Sequence, residues 1–162
     1  MITFKTTTCR GFVLCVGSGL QNDTLVQKNE GAGVAIQYIY GYKGHGTVTN
    51  GQMSDALEGK KLLDMTKYMG TELTFTMLGD PTMWIAINPT PDTARFDAEF
   101  LAGGTSQTVQ GTEKRRYILC LDGTVQCNDT TLEATKYVAL RSDSNVSVVV
   151  PEGSAAVVLT TV

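Results

Sequence analysis

Histidine occurs once, at His45, tryptophan once and proline four times, and only 18% of the 162 residues are charged. A lone imidazole rules out the multi-histidine sites that hold catalytic zinc, iron or nickel, so no metal and no other cofactor is expected. Net charge is −3 with a pI near 5.1, which leaves no basic surface for phosphate backbones or anionic membranes, and direct nucleic-acid or membrane binding is not expected. No apolar run approaches the roughly 20 residues that span a bilayer. The opening residues MITFKTTTCR lack the basic start and long apolar block of a secretory leader, so a soluble product made in the cytoplasm is expected. Phosphate-loop, dinucleotide and nucleophile-elbow glycine motifs are missing as well. The four cysteines, Cys9, Cys15, Cys120 and Cys127, have spacings that fit no zinc pattern, and free, partly buried thiols are expected.

Threonine and glycine fill the gap, with 23 Thr and 17 Gly. Threonine is β-branched and suits a pleated, half-buried surface, while glycine serves turns and bulges. Together they predict many short strands: a mainly β fold, an antiparallel β-sandwich or jelly-roll barrel. Strands are expected from near Met1 to Val16, over Val34–Tyr42, Thr71–Leu78 and Met83–Ile87, and over Ala94–Phe100, where apolar and charged residues alternate strictly. Gly17-Ser18-Gly19 and the glycine-flanked His45 read as turns. Residues 20–33 and 102–113 read as loops. Tyr117–Leu121, Asp122-Gly123 and Thr124–Cys127 read as a hairpin. One α-helix is expected over about residues 54–69, with Ser54 as N-cap, Asp55 in its first turn, a Leu57, Leu62, Leu63, Met65, Met69 stripe, and Gly70 as its stop. The chain reads as a single β-rich domain, 1–162. Its best internal division is at NPTPD (88–92), where the prolines bar regular pairing, giving an N-terminal lobe or arm 1–92 and a barrel-like portion 93–162.

The segment Tyr117–Thr161 carries a tight Asp-Gly turn, an Asn-Asp turn before TLEA and a closing P-x-G-x-A phrase at Pro151–Ala155. In this turn grammar it resembles the later strands of a cupin-type barrel. The resemblance implies a metal-free member, since the family's histidine ligands have no counterparts here. The composition as a whole resembles small structural proteins of tailed bacteriophages, of the capsid decoration, cement or tail-attachment type. That resemblance implies a non-enzymatic virion component, made in the host cytoplasm, that self-associates, commonly as a trimer, and docks on other virion proteins such as the capsid shell.

Candidate interface residues are Ile2 and Phe4 on the first strand, the alternating Tyr38, Tyr40 and Tyr42, Trp84, and Arg115 and Arg116 of the compact basic run Lys114-Arg115-Arg116. Two alternatives stand beside this reading. One is a cupin-like, metal-free small-molecule binder or enzyme using a barrel mouth. The other is a carbohydrate-binding sandwich, with the tyrosine row as its glycan face. His45 as a general base, and carboxylate pairs among Glu58, Asp64 and Glu72 or at Asp97 and Glu99, are further candidates; the last two fall on a wet strand face.

Overall fold

The computed structural model describes residues 1–91 and 94–162 and divides the chain into two compact units, Met1–Ala94 and Arg95–Val162. Asp92 and Thr93, which end the NPTPD segment and open the following strand reading, lie outside the described residues. The first unit contains β1 (Thr3–Thr8), β2 (Phe12–Gly19), β3 (Thr24–Lys28), β4 (Tyr38–Lys43), β5 (His45–Thr49), β6 (Ser54–Glu58), β7 (Leu62–Asp64), β8 (Glu72–Met77) and β9 (Thr82–Pro89). These form two sheets, in the orders β1-β2-β9-β4-β7 and β3-β8-β5-β6.

The second unit contains β10 (Phe96–Leu101), β11 (Thr105–Gln110), β12 (Arg116–Asp122), β13 (Thr124–Cys127), β14 (Thr130–Glu133), β15 (Tyr137–Leu140), β16 (Asn145–Val150) and β17 (Ala155–Thr161). Its sheets run β10-β17-β12-β15 and β11-β16-β13-β14. Pairing between these strands is antiparallel throughout.

With β1 set aside, both units follow one plan. The first strand pairs with the last, the last with the third and the third with the sixth; in the other sheet the second pairs with the seventh, the seventh with the fourth and the fourth with the fifth. This is the jelly-roll order, present twice.

The expected α-helix over 54–69 is not formed. Its residues make β6, β7 and a single 3-10 turn at Thr66–Tyr68. Asn50 Oδ1 accepts from the amides of Gln52 and Met53 at 3.0 and 2.8 Å, closing a hairpin that pairs Thr49 with Ser54 and Thr47 with Ala56. Gly59 and Lys60, the latter at φ 66°, then break any continuous helical path. Asp55, read as a dipole partner, instead accepts the hydroxyl of fully buried Tyr68 at 2.6 Å and the Lys67 ammonium at 2.8 Å.

The expected hairpin of 117–127 is also corrected, because β12 and β13 belong to different sheets. Cys120 and Cys127 therefore both face the second unit's core, as buried free thiols. The chain crosses between sheets at Gly123, φ 69°, just after a bulge at Cys120/Asp122; the first unit does the same at Gly44, φ 74°, after a bulge at Gly41/Lys43. A Cβ would stand 2.5 Å from the Pro81 carbonyl oxygen at Gly44 and 2.3 Å from Ser154 Oγ at Gly123. Residues 20–33 and 102–113 contain β3 and β11, and Gly17-Ser18-Gly19 lies within β2 instead of a turn. Pro89, expected to bar pairing, ends β9 in register with Phe12.

The Asp55→Ala variant will leave the Tyr68 hydroxyl buried without an acceptor, lowering stability by about 2 kcal/mol at neutral pH. The Lys67 ammonium and Tyr68 hydroxyl hold the Asp55 carboxyl below the usual carboxylate range. Its contribution is therefore present above the ordinary carboxylate pKa and lost as pH falls through the lowered one. Urea unfolding of both proteins across that range will show the difference at neutral pH and a shrinking gap in strong acid.

Candidate functional site

Register places three rows of side chains on the core face of the first unit's larger sheet. Phe4, Gly17 and Trp84 form one row across β1, β2 and β9; Thr6, Cys15 and Ala86 form the next; Thr8, Val13 and Asn88 the third. Trp84 is 6% exposed and occupies the space that Gly17 leaves open: a Cβ on Gly17 would lie 2.2 Å from Trp84 Cζ2. On the other sheet of this unit Leu25 pairs with Phe75 and Gln27 with Leu73.

Among these rows lies a cavity of about 180 Å³, walled by Leu25, Ile36, Phe75, Trp84 and Ala86 and reached by Thr6, Cys15, Gln27 and Asn88. Phe4 and Val34, 55% and 53% exposed, also line it and mark its open side. None of its lining residues is charged. A smaller cavity of about 110 Å³ shares Trp84 and is bordered by Lys43, Glu58 and Lys61, of which Glu58 and Lys61 pair with each other at 2.6 Å.

The segment 29–37 closes one side. Fully buried Asn29 holds it, accepting from the Ile36 amide at 2.7 Å and donating to the Ile36 carbonyl at 3.1 Å. Asn88 holds it a second time, donating through Nδ2 to the Gly33 carbonyl at 3.1 Å, while the Gly33 amide donates to the Pro89 carbonyl at 3.1 Å. Asn88 is 5% exposed, and its Oδ1 is buried and accepts no hydrogen bond from the described residues. Cys15 is the cavity's one thiol; burial pushes its pKa up, so it is held protonated and is not an activated nucleophile.

Of the candidate residues, Phe4 and Trp84 meet in the same row, and Ile2 is half-buried against this unit's core. Tyr38 and Tyr40 are buried, 7% and 1% exposed, so the tyrosine row is not an open glycan face. Tyr42 falls at the bulge, its ring edge-on to Tyr40 at 5.6 Å. Arg115 and Arg116 belong to the second unit; Arg116 donates to Thr160 Oγ1 at 3.0 Å and to the Gln110 carbonyl. His45 is exposed and pairs with Glu58 across β5 and β6, while its carbonyl accepts from Leu78, Gly79 and Thr82. Asp64 accepts from the amide and hydroxyl of Thr66, and Glu72, Asp97 and Glu99 are exposed. Sequence reasoning passed over Asn88, Gln27 and Val34. The period-two set Trp84, Ala86, Asn88 was the available signal for the first.

No protein-family model and no curated protein matches the chain. Solved structures do. YhaK from Escherichia coli matches with TM-score 0.66 at 10% identity, over 97% of this chain and 92% of that one. HutD from Pseudomonas fluorescens SBW25 matches with TM-score 0.65 at 14% identity, over 94% and 80%. A cupin 2 conserved barrel domain protein from Leptotrichia buccalis matches with TM-score 0.54 at 9% identity, over 100% and 88%.

The fold is cupin-like.

Enzymes share it too: a Lactobacillus farciminis oxalate decarboxylase in its formate complex (TM-score 0.59, 5% identity, 94% and 77% covered) and a Pseudoaminobacter salicylatoxidans salicylate 1,2-dioxygenase mutant (TM-score 0.55, 12% identity, 93% and 71% covered). These neighbours overturn the bacteriophage reading. A virion role, a capsid-shell partner and a virion location followed from composition alone, and composition does not encode partners. Cupin-like barrels commonly suggest a metal, but the donors here do not fit one. His45 is exposed, and among the described residues no three His, Cys, Asp or Glu side chains come together as ligands. Among the described residues no helix is long and apolar enough to cross a membrane.

Gly17→Ala will force the Trp84 ring to move. The expected result is a loss of about 1–3 kcal/mol in urea unfolding and a red-shifted emission from the single tryptophan. An unchanged spectrum and midpoint would show that the indole does not depend on Gly17.

Proposed function

We propose that the first unit of this cupin-like protein binds a small, mainly apolar molecule in the 180 Å³ cavity beside Trp84. The cavity carries the reading: a concave, largely apolar space with a few polar groups is how small-molecule sites are built. Its lining holds no carboxylate, imidazole or amine for acid–base work, and the Cys15 thiol is held protonated, so the site supports binding over turnover. The neighbouring oxalate decarboxylase and salicylate dioxygenase are named for carboxylate substrates. With no cation in the cavity wall, that substrate class is not carried over.

Toluene titrated into the full-length protein will change Trp84 emission saturably, and the change will disappear in Ala86→Leu, which fills the space from β9. Circular dichroism and the urea midpoint establish that the variant is folded. A response that never saturates, or that survives in a folded Ala86→Leu protein, would count against the cavity as the site.

A further inference from the structure

Resting on that assignment of the cavity, we infer that its occupant is an uncharged ring compound with a cis-amide edge, an N–H and a C=O side by side as in a lactam, held by the side-chain carboxamide of Gln27.

Gln27 is a polar residue at a position where the strand pattern asks for an apolar one. On β3, Leu25 and Gln27 stand opposite Phe75 and Leu73 of β8, and both of those partners are buried in the first unit's core. Cross-strand partners share a face of the sheet, so Gln27 lies on the core face, while Val26 before it is exposed. Gln27 is half-buried and lines the cavity. Among the described residues its carboxamide has no hydrogen-bond partner. Neither its Oε1 nor its Nε2 is sealed off, in contrast to Asn88 Oδ1.

The other polar groups of the lining offer less. Asn88 Nδ2 is committed to the Gly33 carbonyl and its Oδ1 is out of reach. Thr6 is exposed, and the Cys15 thiol is a weak donor. Polar recognition therefore falls to Gln27.

A carboxamide presents one acceptor oxygen and an NH₂ donor beside it in one plane. Its complement is a second amide with N–H and C=O on the same edge, which closes two parallel hydrogen bonds. Open-chain secondary amides are trans and place these groups on opposite sides; a small ring forces them onto one side. A ketone or ether can make only one of the two bonds. A carboxylate would set an oxygen against Gln27 Oε1 and would enter a lining without lysine, arginine or histidine. The rest of the wall fits a single ring. An apolar cavity of about 150 Å³ accommodates benzene, and this one is about 180 Å³, with Trp84 and Phe75 presenting aromatic surface.

Calorimetric titration of the full-length protein with α-pyridone, N-methyl-α-pyridone and toluene tests the inference. α-Pyridone carries the lactam edge, and its N-methyl derivative keeps the ring and the carbonyl without the N–H. α-Pyridone is expected to bind about five- to ten-fold more tightly than the N-methyl compound. In Gln27→Met, which keeps the side chain's length and removes its hydrogen-bonding groups, that preference is expected to disappear. Should the variant not fold, NMR of the isotope-labelled natural protein replaces it: α-pyridone must move the Gln27 side-chain amide protons further downfield than N-methyl-α-pyridone does.

Equal or reversed affinity of the two pyridones overturns the amide rule, and so do unmoved Gln27 amide protons. A preference that persists in folded Gln27→Met reflects the bulk of the methyl group and overturns it too. In each case saturable toluene binding leaves the cavity assignment standing. Binding of none of the three compounds overturns the cavity assignment itself and the inference with it.

Discussion

A strand that faces a core must keep facing it when the chain passes from one sheet to the other, and here that passage depends on a left-handed backbone at a single glycine. Gly44 and Gly123 take it in the two units, each directly behind a one-residue bulge. The bulge rotates the strand, and the positive φ turns the chain without a Cβ meeting the backbone or hydroxyl packed against it. A hydroxyl then fastens each corner: Thr82 Oγ1 donates to the His45 carbonyl, and Ser154 Oγ accepts the Thr124 amide at 3.1 Å. Which strands share a sheet, and so which side chains meet inside, follows from these corners.

The interiors they enclose differ. The second unit's is filled by Val, Leu and Ile side chains with Cys120, Cys127 and Ala156 among them. In the first, a bulky indole sits over a glycine, and the side chains around it leave space unfilled. Polar clamps hold the segment that borders that space. Asn29 and Asn88 bind the segment 29–37 from two sides, and buried amides of this kind fix a backbone because breaking either leaves polar groups unsatisfied.

Much of the β architecture was legible because period-two patterning is a property of the strand itself. Phe96–Glu99 alternates in burial as its sequence does, although Phe100 is exposed and Leu101 is the buried end of the strand, and Asn145–Val150 and Ala155–Thr161 are rich in β-branched residues. The failures have physical causes. β3 and β11 are edge strands, where one side has no partner and polar residues are favoured, so both resembled loops. The 54–69 stripe had leucines and methionines in suggestive places, yet Gly59 and the Asn50-Gly51 turn already argued for hairpins. The Asp122-Gly123 turn looks the same in sequence whether its flanking strands pair or part. Phe4 and Trp84 were noticed as apolar residues wanting a partner, and the fold gives them each other's row. Asn88 was invisible because a polar residue at a strand end is ordinary until the groups around it are known. The turn grammar of Tyr117–Thr161 agrees with the cupin-like fold, whereas overall composition carries no information about partners.

The jelly-roll plan occurs twice, and the cavity's border is made from what the two copies do not share. Among the described residues, β1, which supplies Phe4 and Thr6, has no counterpart in the second unit. The connection that supplies Gly33, Val34 and Ile36 runs over residues 29–37, whereas the corresponding connection between β11 and β12 is only 111–115. The common frame supplies the cavity's floor, and its border is an addition to that frame: an extra edge strand and a lengthened connection. What sets the first unit apart lies at the margins of a repeated scaffold, and both copies turn on the same kind of glycine corner.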